Sequence, residues 1–209
     1  AEMREIGYDA ASGLFAFGAN VTHNQVIADR RLVERAFPLA KACWLVGAPQ
    51  IRNRGTVAGN LITASPANDT ISPLWAMDAT VTLASQARGE RTLPFGEFFL
   101  GVRRTAMQPD EMLVRINVPA LAANERGTFL KLGLRQAQAI SLINVALTLD
   151  YVGDVIHRAR IALGAVAPTI LRAGEAEAYL AGKALTDDVI AQAAELAAGA
   201  ARPISDIRA

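Results

Sequence analysis

The sequence is poor in the residues that carry metal and covalent chemistry. Among 209 residues there is one cysteine, Cys43, and there are two histidines, His23 and His157. A lone cysteine excludes an intrachain disulfide, and an iron–sulfur cluster needs about four thiolates. A structural zinc site needs about four Cys or His ligands, so no metal site is expected. Charge of one sign is missing too. The chain has 21 Lys+Arg against 20 Asp+Glu, a net charge of +1, and lacks the basic footprint of a nucleic-acid binder. No apolar run approaches the length needed to span a bilayer. The opening Ala1-Glu2-Met3-Arg4 lacks the basic-then-apolar order of a secretory signal, so a cytoplasmic protein is expected. There is no Walker-type lysine loop, no Rossmann glycine fingerprint and no G-x-S-x-G elbow. No acid–base or nucleophile constellation can be assembled, so no catalytic residue is assigned. Redox or transfer chemistry would have to come from a cofactor.

What is present is ordinary globular material, 52% hydrophobic and 20% charged residues, enough for one large domain or two small ones. Strand-like runs at Arg4–Tyr8 and Leu14–Phe17 flank a turn-rich stretch. Thr22 suits the N-cap of a helix through Ile27, and Pro38 the first turn of another over Leu39–Val46. His23, at that first helix start, reads as surface. Cys43, in the apolar stretch Ala40–Val46, reads as a buried, inert thiol. Strands are expected at Ala79–Ala84, Met112–Val118, Thr128–Leu134, Ile140–Tyr151 and Val155–Leu163, with a turn at Gly89–Arg91 and a short helix at Phe95–Leu100. His157, on the last of these strands, is given no role. Val152-Gly153-Asp154 reads as a hairpin turn. A helix from Gly174 ends at Gly182. Thr186 caps another, whose stripe of Val189, Ile190, Ala193, Leu196, Ala197 and Ala200 is expected to pack on the sheet. The class is α+β, with a boundary near Pro119–Asn124.

Gly47–Asp69 is rich in Gly, Asn, Pro, Ser and Thr. It reads as a long loop, ordered by Val57, Leu61 and Ile62, and long ordered loops are usually functional. Gly55, Ala58 and Gly59 would let a ligand approach the backbone, and successive amides could form an anion-binding concavity. Thr56, Thr63 and Ser65 add hydroxyls, Asn60 can donate and accept, and Asp69 can accept from a sugar hydroxyl. A phosphate- and sugar-bearing ligand is chemically reasonable for this stretch.

The run Gly47-Ala48-Pro49-Gln50-Ile51-Arg52-Asn53-Arg54-Gly55-Thr56-Val57-Ala58-Gly59-Asn60-Leu61, continuing to Ala64-Ser65-Pro66 and Asp69, resembles the second FAD-binding motif of the molybdenum hydroxylase flavoproteins, the xanthine dehydrogenase and carbon monoxide dehydrogenase family. Arg103-Arg104-Thr105, Pro109–Leu113, Phe129-Leu130-Lys131 with Arg135, and Ala159–Thr169 extend the resemblance along the chain. It implies a vanillyl-alcohol-oxidase-type (PCMH-type) FAD-binding domain over residues 1–121. A small C-terminal domain like that of the carbon monoxide dehydrogenase flavoprotein would follow over 122–209.

By that resemblance, Gly55, Thr56, Val57, Ala58 and Gly59 would offer backbone N–H groups to the FAD pyrophosphate. Asn60, Thr63 and Ser65 would hydrogen-bond nearby, and Asp69 would meet the cofactor's hydroxyls. Val46 would lie against the cofactor, Leu113 would pack by the flavin ring, and Lys131 would lend it a cation. The implied function is an electron-transfer subunit of an oxidoreductase, passing electrons from iron–sulfur clusters through FAD to an external acceptor. Molybdopterin and [2Fe-2S] clusters would belong to a large and a small partner subunit, in a dimer of heterotrimers. Ala58 stands where the family has the first glycine of its G-G-N core. The family's earlier A-G-G-T-D/N phosphate loop and its last residues have no counterpart here, so the expectation is a trimmed piece lacking the first FAD subdomain. A flavin-free assembly module docking to the molybdenum and iron–sulfur subunits is the alternative.

Overall fold

The computed structural model describes residues 2–204. After a 3-10 turn at Glu2–Arg4, the hairpin β1 (Ile6–Asp9) and β2 (Leu14–Gly18) leads into six short helices: α1 (His23–Ala28), α2 (Arg30–Arg35), α3 (Phe37–Leu45), α4 (Pro49–Arg54), α5 (Val57–Ile62) and α6 (Ile71–Ala76). Strands β3 (Thr80–Ser85) and β4 (Gly89–Pro94), helix α7 (Phe95–Phe98) and the small hairpin β5 (Phe99–Gly101)–β6 (Arg104–Thr105) follow. Then come β7 (Glu111–Pro119), β8 (Glu125–Gly133), β9 (Ser141–Val152), β10 (Val155–Gly164), β11 (Leu171–Arg172), α8 (Gly174–Leu180) and α9 (Asp187–Gly199). Among the described residues no helix is long and apolar enough to cross a membrane.

The strands form an antiparallel five-stranded sheet in the order β1-β2-β7-β3-β4 and an antiparallel four-stranded sheet in the order β11-β10-β9-β8. Alternation of buried apolar residues decides which faces turn inward. Phe15 and Phe17 of β2, Val81 and Leu83 of β3, and Leu113, Ile116 and Val118 of β7 meet Leu32, Leu39, Cys43, Leu61 and Leu74 from the helices. That core does not stop at the first sheet. Helix α3 packs on β8 and α6 on β9 and β10, so Phe129, Ala146 and Ala162 on the inner face of the second sheet join the same cluster. Gly127 permits this approach, because a methyl there would come within 2.7 Å of the Pro38 ring. Thr148 Oγ1 donates to the Ala76 carbonyl at 2.8 Å. Asp78, at the end of α6, accepts from Arg158 at 2.9 Å and Arg160 at 3.1 Å on β10. The outer face of the second sheet carries Leu149, Ala159, Ile161 and Leu163 into a separate core with α8.

Several expectations need correction. The Gly47–Asp69 stretch is not a loop but is largely helical, holding α4 and α5. Pro49 opens α4, Gly55 closes it and Thr56 caps α5, so loop-like composition here is the composition of closely spaced helix ends. Helix α2 lies between the two helices read at Thr22 and Pro38, and α3 begins at Phe37. Gly89–Arg91 belongs to β4, the turn falling one step earlier at 86–88. His23 is no surface residue, since α1 packs against α3 and α4 and leaves it 2% exposed. Helix α9 packs on α8 rather than mainly on the sheet, and Ile190 of its stripe is half exposed. The hairpin turn at Gly153 (φ 62°) and the caps at Thr22 and Thr186 are as read. Residues 205–209 of the C-terminal domain expected over 122–209 lie outside the described residues.

Candidate functional site

A cleft of about 620 Å³ opens where the segments following α3 and α5 meet the turn between β8 and β9. One wall is Val46, Gly47 and Ile51; another is Asn60, Ser65, Ala67, Asn68 and Asp69. Arg103 at the β5–β6 turn and Gln138, Ala139 and Ile140 before β9 complete it. A second depression of about 420 Å³, lined by Leu45, Lys131–Arg135, Gln136 and Ala139, shares Ala139 with the first. Such a mainly apolar hollow with a few converging polar groups has the size and make-up of a cofactor site.

Local chemistry positions each wall. Arg52 stacks over the Trp44 ring at 5.4 Å and donates to the Val46 carbonyl at 3.1 Å, holding Val46 at the rim. Thr56 Oγ1 accepts from Gly59 N–H at 2.9 Å and so starts α5. Gly55 N–H is bonded to the Ile51 carbonyl at 2.6 Å and Val57 N–H to that of Val21 at 3.0 Å. Three of the five amides in Gly55–Gly59 are therefore engaged within the protein. Asn60 pins the bend from α5 to α6. Its Oδ1 accepts from Thr70 N–H at 3.3 Å, and its carbonyl accepts from Thr63 Oγ1 at 2.9 Å. Its side-chain NH2 donates to nothing among the described residues. Three non-glycine residues at or beside the rim have left-handed backbone, Ala64 (φ 44°), Arg103 (φ 55°) and Gln138 (φ 53°). Such conformations cost about 1 kcal/mol or more and cluster at functional sites. Arg103 N–H is tied to the Ala64 carbonyl at 3.0 Å while its side chain stays exposed.

The back of the cleft is an ion pair. Lys131 Nζ donates to Asp69 Oδ2 at 2.5 Å and to the Leu45 carbonyl at 3.3 Å. Ser141 Oγ donates to Asp69 Oδ1 at 2.6 Å. Both side chains of the pair are under 10% exposed, at 7% and 8%. Burial pushes the Asp69 carboxyl above the usual carboxylate range, against the opposing pull of the Lys131 ammonium and the Ser141 hydroxyl. Behind this pair, Cys43 Sγ lies 3.4 Å from His23 Nδ1. Burial pushes the Cys43 thiol far up, as expected of an inert thiol, and it pulls His23 down to about 4, with Arg52 adding to the effect.

Of the residues singled out in the sequence, Val46, Asn60, Ser65 and Asp69 line the cleft, and Lys131 joins them through Asp69. Thr63 is exposed and bonded to Asn60 and Asn68. Gly55, Thr56 and Gly59 shape the start of α5, whereas Val57, Ala58 and Leu113 are buried in the core and off the cleft surface. Ala58 is helical, so its methyl meets no backbone penalty. Ser141, Arg103, Asn68 and Gln138 were not read as site residues.

Residues 1–121 match the family described as FAD binding domain in molybdopterin dehydrogenase, and residues 128–209 match the CO dehydrogenase flavoprotein C-terminal domain. The chain belongs to this family. Among its curated relatives it is 34% identical to the carbon monoxide dehydrogenase medium chain of Hydrogenophaga pseudoflava, over 99% of this chain and 71% of that protein. It is 39% identical to the nicotinate dehydrogenase FAD-subunit of Eubacterium barkeri, over 71% of this chain and 51% of that protein. In three dimensions it superposes on a chain of the Hydrogenophaga pseudoflava carbon monoxide dehydrogenase that lacks the Mo-pyranopterin moiety. There the TM-score is 0.93 at 35% identity, covering 99% of this chain and 71% of that one. Its relatives are oxidoreductase subunits, and FAD is the cofactor of the family to which it belongs. The cleft suits that cofactor: an apolar wall for a ring, free amide and hydroxyl donors at Asn60 and Ser65, and an exposed guanidinium at Arg103 for phosphate.

Proposed function

We propose that this chain is the FAD-holding part of the medium subunit of a molybdenum hydroxylase. In that reading residues 1–121 form the FAD-binding domain and residues 122–209 the C-terminal domain. A molybdenum-cofactor large subunit and a [2Fe-2S] small subunit complete a heterotrimer that pairs into a dimer in the cytoplasm. Bound FAD would take electrons from the iron–sulfur clusters and pass them to an external acceptor.

The observation that carries the reading is the buried Asp69–Lys131 pair at the back of a cleft walled by the segments after α3 and before α6 and by the turn ahead of β9. A paired buried charge beside an open hollow is more often a functional feature than a stabilising one. Val46 and Ile140 give the apolar wall. Asn60 and Ser65 hydrogen-bond the cofactor, and Asp69 with Lys131 fixes polarity near its ring. The start of α5, with the Thr56 N–H left free of a protein acceptor among the described residues, faces the pyrophosphate together with Arg103. Gly55, Val57 and Gly59 set the shape of that turn. Leu113 and Thr63 support the site from the core and from the rim.

Titrating the full-length subunit with FAD tests this. The expected result is stoichiometric binding with flavin absorbance bands, weakened at least tenfold by Asn60→Leu, a change that removes one charge-adjacent hydrogen-bonding group. A protein that ignores FAD overturns the reading. A flavin-free docking module is the second reading. It is favoured by a row of outward apolar residues on edge strand β8, Leu130 and Leu132 at 59% exposed and Leu134 just beyond at 76%. Co-purification with both partner subunits in a colourless complex is the result that selects it.

A further inference from the structure

Ser141 is the first residue of β9, opposite Gly133 across a register shift in β8. It is 1% exposed, and its hydroxyl is the sole partner of Asp69 Oδ1 among the described residues. The other oxygen, Oδ2, faces Lys131. A carboxylate with one buried donor on each oxygen has its rotation settled: turning it would break both hydrogen bonds and leave an oxygen of a largely buried group unpaired. Removing the Ser141 hydroxyl frees Asp69 to turn or to take a proton. In both cases the carboxylate compensates the Lys131 ammonium less completely. An uncompensated cation beside a redox centre favours its more negatively charged, reduced form.

Resting on the FAD reading above, we propose that Ser141 is a positioning residue of the cofactor site. Its hydroxyl orients Asp69 against Lys131 and thereby sets how much positive charge bound FAD meets. Ser141 touches no part of the cleft's ligand space itself; it acts through Asp69.

The test is the midpoint potential of FAD bound to the full-length subunit. Ser141→Ala is expected to raise it by about 30 mV, a tenfold gain in the preference for reduced over oxidised cofactor. Ser141→Thr keeps the hydroxyl and is expected to hold the potential of the unaltered protein. Ser141→Cys, with its weak donor, falls between and serves equally if the alanine variant does not fold. In an Asp69→Asn background Ser141→Ala is expected to add no further shift, since the residue it acts through is gone. An unmoved potential in Ser141→Ala and Ser141→Cys overturns the proposal, as does an equal shift in the Asp69→Asn background. Failure of the unaltered protein to bind FAD overturns the functional reading and this proposal together. Binding of FAD with an unmoved potential overturns this proposal alone.

Discussion

Lys131 Nζ lies 2.5 Å from Asp69 Oδ2, although the two residues are 62 positions apart, one on β8 and the other on the segment ahead of α6. Removing one partner of a buried pair leaves an uncompensated charge, which costs about 3–5 kcal/mol. Lys131→Met is therefore expected to destabilise the protein by about 3 kcal/mol. The double variant Asp69→Asn with Lys131→Met should lose much less than the sum of the two single changes. Urea unfolding of the four proteins measures this, and additive losses would show that the pair is not coupled.

A different buried group ties stability to pH. His23 titrates near its ordinary 6.5 in the unfolded chain but only at about 4 when folded, because burial and then Arg52 disfavour its charged form. Protons therefore bind the unfolded chain preferentially between those values. The contribution of neutral His23 is complete above pH 6.5 and is lost as pH falls towards about 4. The full loss is on the order of 3 kcal/mol. Thermal unfolding followed across that window should show the slope, and His23→Gln should flatten it. A His23→Gln profile that still falls as steeply rules out His23 as the source.

Thr56 closes the first turn of α5 through Gly59 N–H. Thr56→Val keeps the shape and removes the acceptor, so it should cost about 1 kcal/mol and speed hydrogen exchange at the Gly59 amide. Thr56→Ser should restore both. Equal exchange rates in all three proteins would mean that the cap does not hold the turn.

Gly164 leaves no room for a side chain. A methyl there would press on the Asn144 side-chain amide, which accepts from Ser72 on α6. Overpacking of this kind costs about 1–3 kcal/mol. Gly164→Ala is expected in that range, and Asn144→Ala should relieve part of it when the two are combined. Calorimetric unfolding of the single and double variants gives the answer; a neutral Gly164→Ala would place Asn144 elsewhere than described.

Much of the architecture was readable because local chemistry agreed with the global fold. Thr22 and Thr186 cap helices, Gly153 makes the hairpin turn, and the alternating strands from Met112 to Leu163 need no tertiary information to be recognised. The stretch from Gly47 to Asp69 misled for an equally physical reason. Two helices of six residues each, started by Pro49 and Thr56, are mostly ends, and helix ends use the residues of loops. The site was half visible. Asn60, Ser65, Asp69 and Lys131 stood out by motif, but the partner of Asp69 on its far side did not. Ser141 meets Asp69 only after β9 pairs with β8, and nothing local to Ser141 announces a carboxylate 72 positions away. The burial of His23 was hidden in the same way, since it depends on α1 lying against α3 and α4.

Helices α3 and α6 pack on the second sheet and share one core with the first. Two walls of the cleft are the segments that leave α3, at Val46 and Gly47, and lead into α6, at Ser65 and Asp69, so their spacing follows the packing of those helices. A methylene deleted deep in the interior, for instance at Leu39 or Leu74, would then be felt at the ligand as a change in spacing. Destabilised variants should shed their cofactor at temperatures where their secondary structure is still intact, which makes cofactor retention a gauge of interior order in this protein.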